Sequence, residues 1–260
     1  MILSTWNVNS IKVRLHAVLQ YLREQNPDVL VLQETKCLDE NFPTKELMEI
    51  GYHSIYCGQK TYNGVAILSK KKLEDVSLNP VKTHEAEMRS IAATYEDIRI
   101  LNLYVVNGQS VGTPKYKYKI RWFKKLLDYT NIELRKNKNM VIMGDFNIAP
   151  NDDDVFDVEA TANQVLCSSE ERSLLASLLS QGLYDLFLDF NFPPKTFTWW
   201  DYRGGAFHRD IGYRIDLILG TKSIRQTCID YIIDKETRHK SWCLLEPRTS
   251  DHAPCRVILK

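Results

Sequence analysis

Six apolar runs in this 260-residue sequence begin or end in polar residues whose types could bind a cation and move a proton. The segments are Trp6-Asn7-Val8-Asn9, Leu32-Gln33-Glu34-Thr35-Lys36, Tyr104-Val105-Val106-Asn107-Gly108, Gly144-Asp145-Phe146-Asn147, Tyr213-Arg214-Ile215-Asp216-Leu217 and Ser250-Asp251-His252-Ala253-Pro254. A lone carboxylate beside a strand is more often a turn former or helix cap than a catalyst, and a lone His beside an Asp is more often structural. Six such ends together are a different matter, because strands of one sheet system can bring their ends to one pocket.

Hydrolysis of a phosphodiester suits this set. Glu34 offers a hard oxygen ligand, with Asn7 and Asp251 to add more; such ligands suit Mg²⁺, which keeps several waters and needs only one or two carboxylates. A metal there would polarise a phosphoryl oxygen and stabilise charge on the leaving oxygen. Asp145 can orient or deprotonate a water. Asn147, Tyr104 and His252 can donate hydrogen bonds to phosphate oxygens, with Asp216 fixing the histidine tautomer. HExxH, Walker A and GxSxG motifs are all missing, which removes support for zinc proteolysis, P-loop hydrolysis and serine esterase chemistry.

The elements that must position these groups are short. Residues 2–6 and 28–34 read as strands, and residues 11–24 between them show helical spacing through Ile11, Leu15, Val18, Leu19 and Leu22. Strand-like runs recur at 64–69, 90–95, 98–106, 140–146, 215–219 and 254–259. Turn signals punctuate them at Asn63-Gly64, Asn79-Pro80 and Asn107-Gly108. Helices are expected at 115–136 and 169–181, the second capped by Ser168 or Ser169 and stopped by Gly182. Some strands follow helices and others pair as hairpins, so the pattern predicts a mixed α/β or α+β architecture in one domain spanning 1–260.

Bulk properties exclude little but are consistent. With 44% hydrophobic residues the chain can bury a substantial core. Its start lacks a signal-peptide pattern, and runs such as Val29-Leu30-Val31-Leu32 are too short to span a bilayer. Six cysteines without CxxC spacing argue for reduced core residues rather than a zinc site or disulfides, and for a cytoplasmic protein. The net charge of +1 hides an uneven distribution. Residues 114–138 carry nine Lys/Arg against Asp128 and Glu133, whereas residues 152–171 carry seven acids and no Lys/Arg. The basic stretch could track phosphates or be an ordinary solvated helix face.

Together the motifs resemble the exonuclease/endonuclease/phosphatase superfamily, and within it the exonuclease III-type abasic endonucleases. The match runs in order through Trp6-Asn7-Val8-Asn9, Leu32-Gln33-Glu34-Thr35-Lys36, Asn63-Gly64-Val65-Ala66, Gly144-Asp145-Phe146-Asn147-Ile148-Ala149-Pro150, Thr198-Trp199-Trp200-Asp201-Tyr202-Arg203, Arg214-Ile215-Asp216-Leu217 and Ser250-Asp251-His252-Ala253-Pro254. It implies a four-layered α/β sandwich, two packed mixed β-sheets flanked by helices, with the site at one edge. It also implies Glu34 as main metal ligand assisted by Asn7 and Asp251, Asp145 aligning the water, Asn147 beside it, Tyr104 as catalytic tyrosine, and His252 on the phosphate held by Asp216. A second ion would engage Asp145, Asn147 and His252. Trp199 and Tyr213 would line a pocket for a flipped-out sugar lacking its base. Asn107, Lys115, Lys117, Lys119 and Arg121 would contact the DNA backbone.

The implied reaction is Mg²⁺-dependent hydrolysis 5′ to abasic sites with 3′-5′ exonuclease and 3′-end cleaning, Mn²⁺ substituting for Mg²⁺. The implied partner is duplex DNA with abasic sites or blocked 3′ ends, bound by a monomer, nucleoid-associated if the source is bacterial. The chain departs from many relatives in having Tyr213 for Trp, Met88 for the Gly before Arg89, and a less basic surface. Two other readings stay open. One is a superfamily phosphoesterase acting on inositol phosphate, lipid or RNA; the other is a nucleic-acid-binding module without catalysis.

Overall fold

The computed structural model describes every residue except Pro247. In chain order the first half runs β1 (Ile2–Asn7), α1 (Ile11–Gln25), β2 (Val29–Gln33), α2 (Thr44–Glu49), β3 (His53–Cys57), β4 (Val65–Ser69), β5 (Glu74–Leu78), β6 (Ser90–Tyr95), β7 (Ile98–Tyr104) and α3 (Pro114–Lys136). It continues with β8 (Met140–Asp145), α4 (Val158–Thr161), α5 (Ser169–Leu179), β9 (Leu183–Asp185), β10 (Trp199–Trp200), β11 (Gly212–Tyr213), β12 (Asp216–Thr221), α6 (Lys222–Thr227), β13 (Cys228–Ile233) and β14 (Cys255–Leu259).

Two six-stranded mixed sheets result, ordered β13-β14-β1-β2-β4-β3 and β5-β6-β7-β8-β12-β9, with β10-β11 as a small ribbon. Each large sheet holds one parallel pair joined across a helix: β1 and β2 through α1, β7 and β8 through α3. The expected four-layered sandwich is present. Leu3, Val29, Val31, Val65 and Ile67 of one sheet meet Ile91, Ile100, Val141, Met143 and Ile218 of the other. The alternate residues face outward, Leu30 and Leu32 onto α1 and α2, and Leu101, Ile142 and Leu217 onto α3 and α5. Burial on both faces explains why β2 reads as an unbroken apolar run.

Polar pins cross the core. Gln33 Nε2 donates to Asn102 Oδ1 across the sheets at 2.7 Å, and Asn102 Nδ2 donates back to the carbonyls of Leu32 and Ala66. These bonds fix the relative slide of the two sheets just below their shared edge. Gly144 has an equally steric role, since a Cβ there would lie 2.0 Å from the Leu103 carbonyl oxygen.

Expected helices and caps match closely: Ser168 caps α5 in a capping box with Glu171. Strand β7 stops at Tyr104, two residues short of the expected run, although Val105 N still donates to Asp145 O of β8 at 2.9 Å. Strands β3, β5, β9, β10, β11 and β13 were not anticipated. Among the described residues no helix is long and apolar enough to cross a membrane, and all six cysteines are free.

Candidate active site

Period-two alternation places the chemistry. In β8 the inter-sheet residues Val141 and Met143 are followed two positions on by Asp145; in β12 Asp216 precedes Ile218; in β7 Ile100 and Asn102 are followed by Tyr104. Register then sets these groups side by side, with Tyr104 opposite Asp145 and Asp145 opposite Asp216. On the facing sheet Asn7 closes β1 opposite Gln33 of β2, and the next residue, Glu34, turns at φ 51°. The C-terminal ends of both parallel pairs thus meet across one edge of the sandwich, the usual location for ligand chemistry in open parallel sheets.

Atoms of Glu34, Asp145 and His252 lie within 4.8 Å of one another, and the trio can hold a metal ion. Asn7 Nδ2 sits between the carboxylates, donating to Glu34 Oε1 and Asp145 Oδ2 at 2.9 Å each. Its oxygen is turned to the Asn9 amide at 3.0 Å, so Asn7 presents nitrogen to the cluster rather than a ligand oxygen. Lys36 Nζ lies 2.8 Å from Glu34 Oε2. The donor set of hard carboxylate oxygens suits a divalent cation. Burial pushes the Asp145 pKa up to about 7; His252 opposes the rise, while Asp216 and Glu34 add to it.

His252 is buried and held through Nδ1 by Asp216, 2.9 and 3.1 Å from its two oxygens. Burial works to lower the imidazole pKa, but Asp216 and Asp145 outweigh it and push it up to about 10. The ring's Nε2 faces Asp145 Oδ2 at 3.8 Å. Tyr104 is lifted well above the usual phenol range, by burial first and then by Glu34, so it is a hydrogen-bond donor rather than a base.

The segment carrying His252 is tied from both sides. Ser250 Oγ donates to Asn7 O at 2.6 Å, Trp6 Nε1 to His252 O at 3.1 Å, and Arg238 to the Ser250 carbonyl. Asp251 accepts from Asn9 Nδ2 at 3.0 Å and Trp199 Nε1 at 2.9 Å. Although burial opposes ionisation, His252 and these two donors hold its carboxyl below the usual range. It is not one of the three groups that converge within 4.8 Å.

Trp199 and Tyr213 pair across β10-β11 with ring centroids 5.7 Å apart, and Trp199 lies 6.4 Å from the His252 ring. Both are half-buried and pack with Ala149, Val155, Leu166 and Ile215. Trp200, by contrast, is wholly buried in the core. The two rings therefore adjoin the cluster.

Asn147 is placed at φ 48°, its amide N–H donating to Asp145 Oδ1 at 2.9 Å and its Nδ2 to Val105 O. Exposed Asn107 reaches Asn147 Oδ1 at 3.0 Å. On α3, Lys115, Lys117 and Arg121 are exposed, Arg121 pairing with Glu85 at 2.5 Å. Lys119 corrects the sequence expectation. It is 1% exposed and ion-paired with buried Glu171, so it cannot reach a phosphate.

Residues 4–252 match the Endonuclease/Exonuclease/phosphatase family. The chain belongs to that family. Among its relatives, exodeoxyribonuclease III of Haemophilus influenzae is 32% identical over 263 residues, 96% of each chain. A 3′ phosphatase from Neisseria, solved with a product DNA hairpin, is 40% identical with a TM-score of 0.94, covering 100% of this chain and 99% of that one. An AP endonuclease from Archaeoglobus fulgidus is 33% identical with a TM-score of 0.93 over 100% and 99%.

In this endonuclease/exonuclease/phosphatase family member several residues to which the sequence motifs assign no role brace the site. Asn9 bridges Asp251 and Lys36, accepting from Lys36 Nζ at 2.6 Å. Thr198 Oγ1 accepts from the amides of Ile215 and Asp216 at 3.1 Å each and so aims Asp216. Arg89 lies over the Tyr104 ring, 4.7 Å from its centroid. For Lys119 a signal existed: Tyr116, Lys119, Ile120 and Phe123 share one helical stripe, and the other three are buried apolar anchors.

Proposed function

We propose that this protein is a Mg²⁺-dependent DNA-repair phosphodiesterase that cuts the backbone 5′ to abasic sites and trims or cleans 3′ ends, acting as a cytoplasmic monomer. The observation that carries the reading is the meeting of Glu34, Asp145 and the Asp216-held His252 at one edge of the sandwich. A relative named exodeoxyribonuclease III and solved structures named as a 3′ phosphatase and an AP endonuclease, matched over 96–100% of the chain, support it.

Glu34, helped by Asp251 and by Asn7 after an amide flip, would hold the cation, which Mn²⁺ could replace; Asp145, Asn147 and His252 would serve a second ion. Bound Mg²⁺ supplies charge stabilisation on phosphate oxygens. Asp145, with a pKa near neutrality, is suited to orient a water and take its proton. With no second ion on its Nε2, His252 stays cationic at neutral pH and donates from Nε2 toward a non-bridging oxygen while Asp216 fixes Nδ1. Tyr104 donates its phenol proton to the same group, and Asn147 its second amide N–H. Trp199 and Tyr213 accept a compact baseless sugar by shape. Asn107, Lys115, Lys117 and Arg121 meet backbone phosphates, fixing register without reading sequence.

The test is a labelled duplex with one central abasic analogue, with Mg²⁺ or with EDTA. One Mg²⁺-dependent incision 5′ to the lesion supports the proposal. An untouched duplex together with phosphate release from a soluble inositol phosphate would overturn it.

A further inference from the structure

Lys119 stands on the buried face of α3 among Tyr116, Ile120 and Phe123, where an apolar side chain would serve packing alone. Its ammonium uses all three of its donors. It bonds Asn107 O at 3.1 Å, Asn147 O at 2.6 Å and Glu171 Oε1. Glu171 is 0% exposed. Its Oε2 forms the capping box with Ser168, accepting from that residue's amide at 3.1 Å and hydroxyl at 2.6 Å. A cap needs no more than that. Oε1 nevertheless turns to Lys119 and to the Leu166 amide at 3.1 Å.

The groups held by this pair share a feature. Asn147 lies at φ 48°, a left-handed conformation that asparagine tolerates, and Leu166 at φ 76°, one that a leucine adopts only when its surroundings impose it. Asn147 O is clamped by Lys119 and Leu166 N by Glu171, while Leu166 O accepts from the Ala149 amide at 2.8 Å. The Asn147 amide donates to Asp145 Oδ1, and Leu166 packs in the cluster with Trp199 and Tyr213. A Cβ on Gly108 would come within 3.2 Å of Lys119 Cδ, so the Asn107-Gly108 turn is moulded onto the lysine stem.

We propose that the Lys119–Glu171 ion pair is a positioning element for the reaction, locking the Asn147 corner beside the phosphate and the Leu166 corner beside the sugar pocket into one rigid unit. The inference rests on the nuclease reading above. Neither residue touches substrate. Lys119 acts through Asn147, directly at its carbonyl and by way of Asn107, whose Nδ2 holds Asn147 Oδ1; Glu171 acts through Leu166.

The experiment compares wild type, Lys119→Met, Asn147→Ala and the double variant on the abasic duplex, with thermal unfolding and backbone hydrogen exchange measured in parallel. Expected are a kcat loss of at least about 30-fold for Lys119→Met with KM within about threefold, and faster exchange at the Asn147, Ala149 and Leu166 amides with β1 and β8 unchanged. In the Asn147→Ala background the further kcat loss shrinks to under about threefold, while the fall in Tm is the same in both backgrounds. Equal kcat losses in the two backgrounds, or unchanged exchange at the three amides, would overturn the proposal. If Lys119→Met does not fold, Glu171→Gln takes its place: it keeps an oxygen for the cap and must still release the Leu166 amide and lower kcat. Wild type that leaves the duplex intact refutes the parent reading; the exchange arm then still decides whether the pair locks the two corners.

Discussion

Replacing Asp216 by Asn should separate charge from geometry at the histidine. His252 is 3% exposed, and Asp216 is its direct partner at 2.9 Å. With that carboxylate the imidazole pKa is pushed up to about 10 against burial. Asparagine can still accept from Nδ1–H but carries no charge, so the pKa should fall back toward roughly 6.5, the ordinary value. At pH 8 only about 3% of the ring would then be cationic, a loss of about 30-fold in the donating form; at pH 6 about three-quarters remains.

Stability should run the other way. A histidine whose folded pKa lies above its unfolded value stabilises the fold fully below the unfolded value, and the benefit fades as pH rises through about 10. A rise of roughly 3.5 units is on the order of 5 kcal/mol, so the Tm loss of Asp216→Asn should be greatest at pH 6 and vanish near pH 10. The assay is kcat for incision and Tm by circular dichroism, both from pH 6 to 10. An activity loss that does not grow between pH 6 and pH 8 would refute the reasoning, because Asp216 would then act only by orienting the ring.

Glu34→Ala should raise the Mg²⁺ concentration for half-maximal incision by more than about tenfold, since even groups behind a metal ligand shift affinity by that much; an unchanged titration would remove Glu34 as a ligand. Lys117→Ala should lower the slope of log affinity against log salt by about 0.9 if it meets one phosphate, whereas an identical slope would place the DNA elsewhere. Arg214→Met strands Asp154 and Asp185, now paired with the buried guanidinium at 2.6 and 2.8 Å. It should cost about 3–5 kcal/mol and lower Tm by roughly 6–20 °C, and a Tm within 2 °C of wild type, on the order of 1 kcal/mol or less, would contradict that network.

Much of the site was legible because the strand-end motifs carry their own geometry. Once β7, β8 and β12 are in register, Tyr104, Asp145 and Asp216 fall into one row, whereas the sequence says only that strand ends of one sheet system can converge. What could not be read is which way a side chain turns. Asn7 was expected to offer oxygen and instead presents nitrogen to two carboxylates. Lys119 was grouped with its basic neighbours by charge, although helical spacing puts it on the buried stripe. The strands that escaped notice are short or weakly patterned: β5, Glu74-Asp75-Val76-Ser77-Leu78, is a mostly exposed edge strand with two acids, and β10 and β11 have two residues each. Edge strands need no apolar alternation to pair.

The account's central claim is that the Asp145 cluster performs cation-dependent cleavage of DNA, and wild type beside Asp145→Asn tests it most directly. Both would be given the abasic duplex with Mg²⁺, incision followed on a gel and Kd measured by fluorescence anisotropy. The account predicts a single incision 5′ to the lesion by wild type alone, and a Kd for the variant within about threefold of wild type, because Asp145 serves the transition state rather than docking. Substantial incision by Asp145→Asn, or incision by wild type that persists in EDTA, would contradict it.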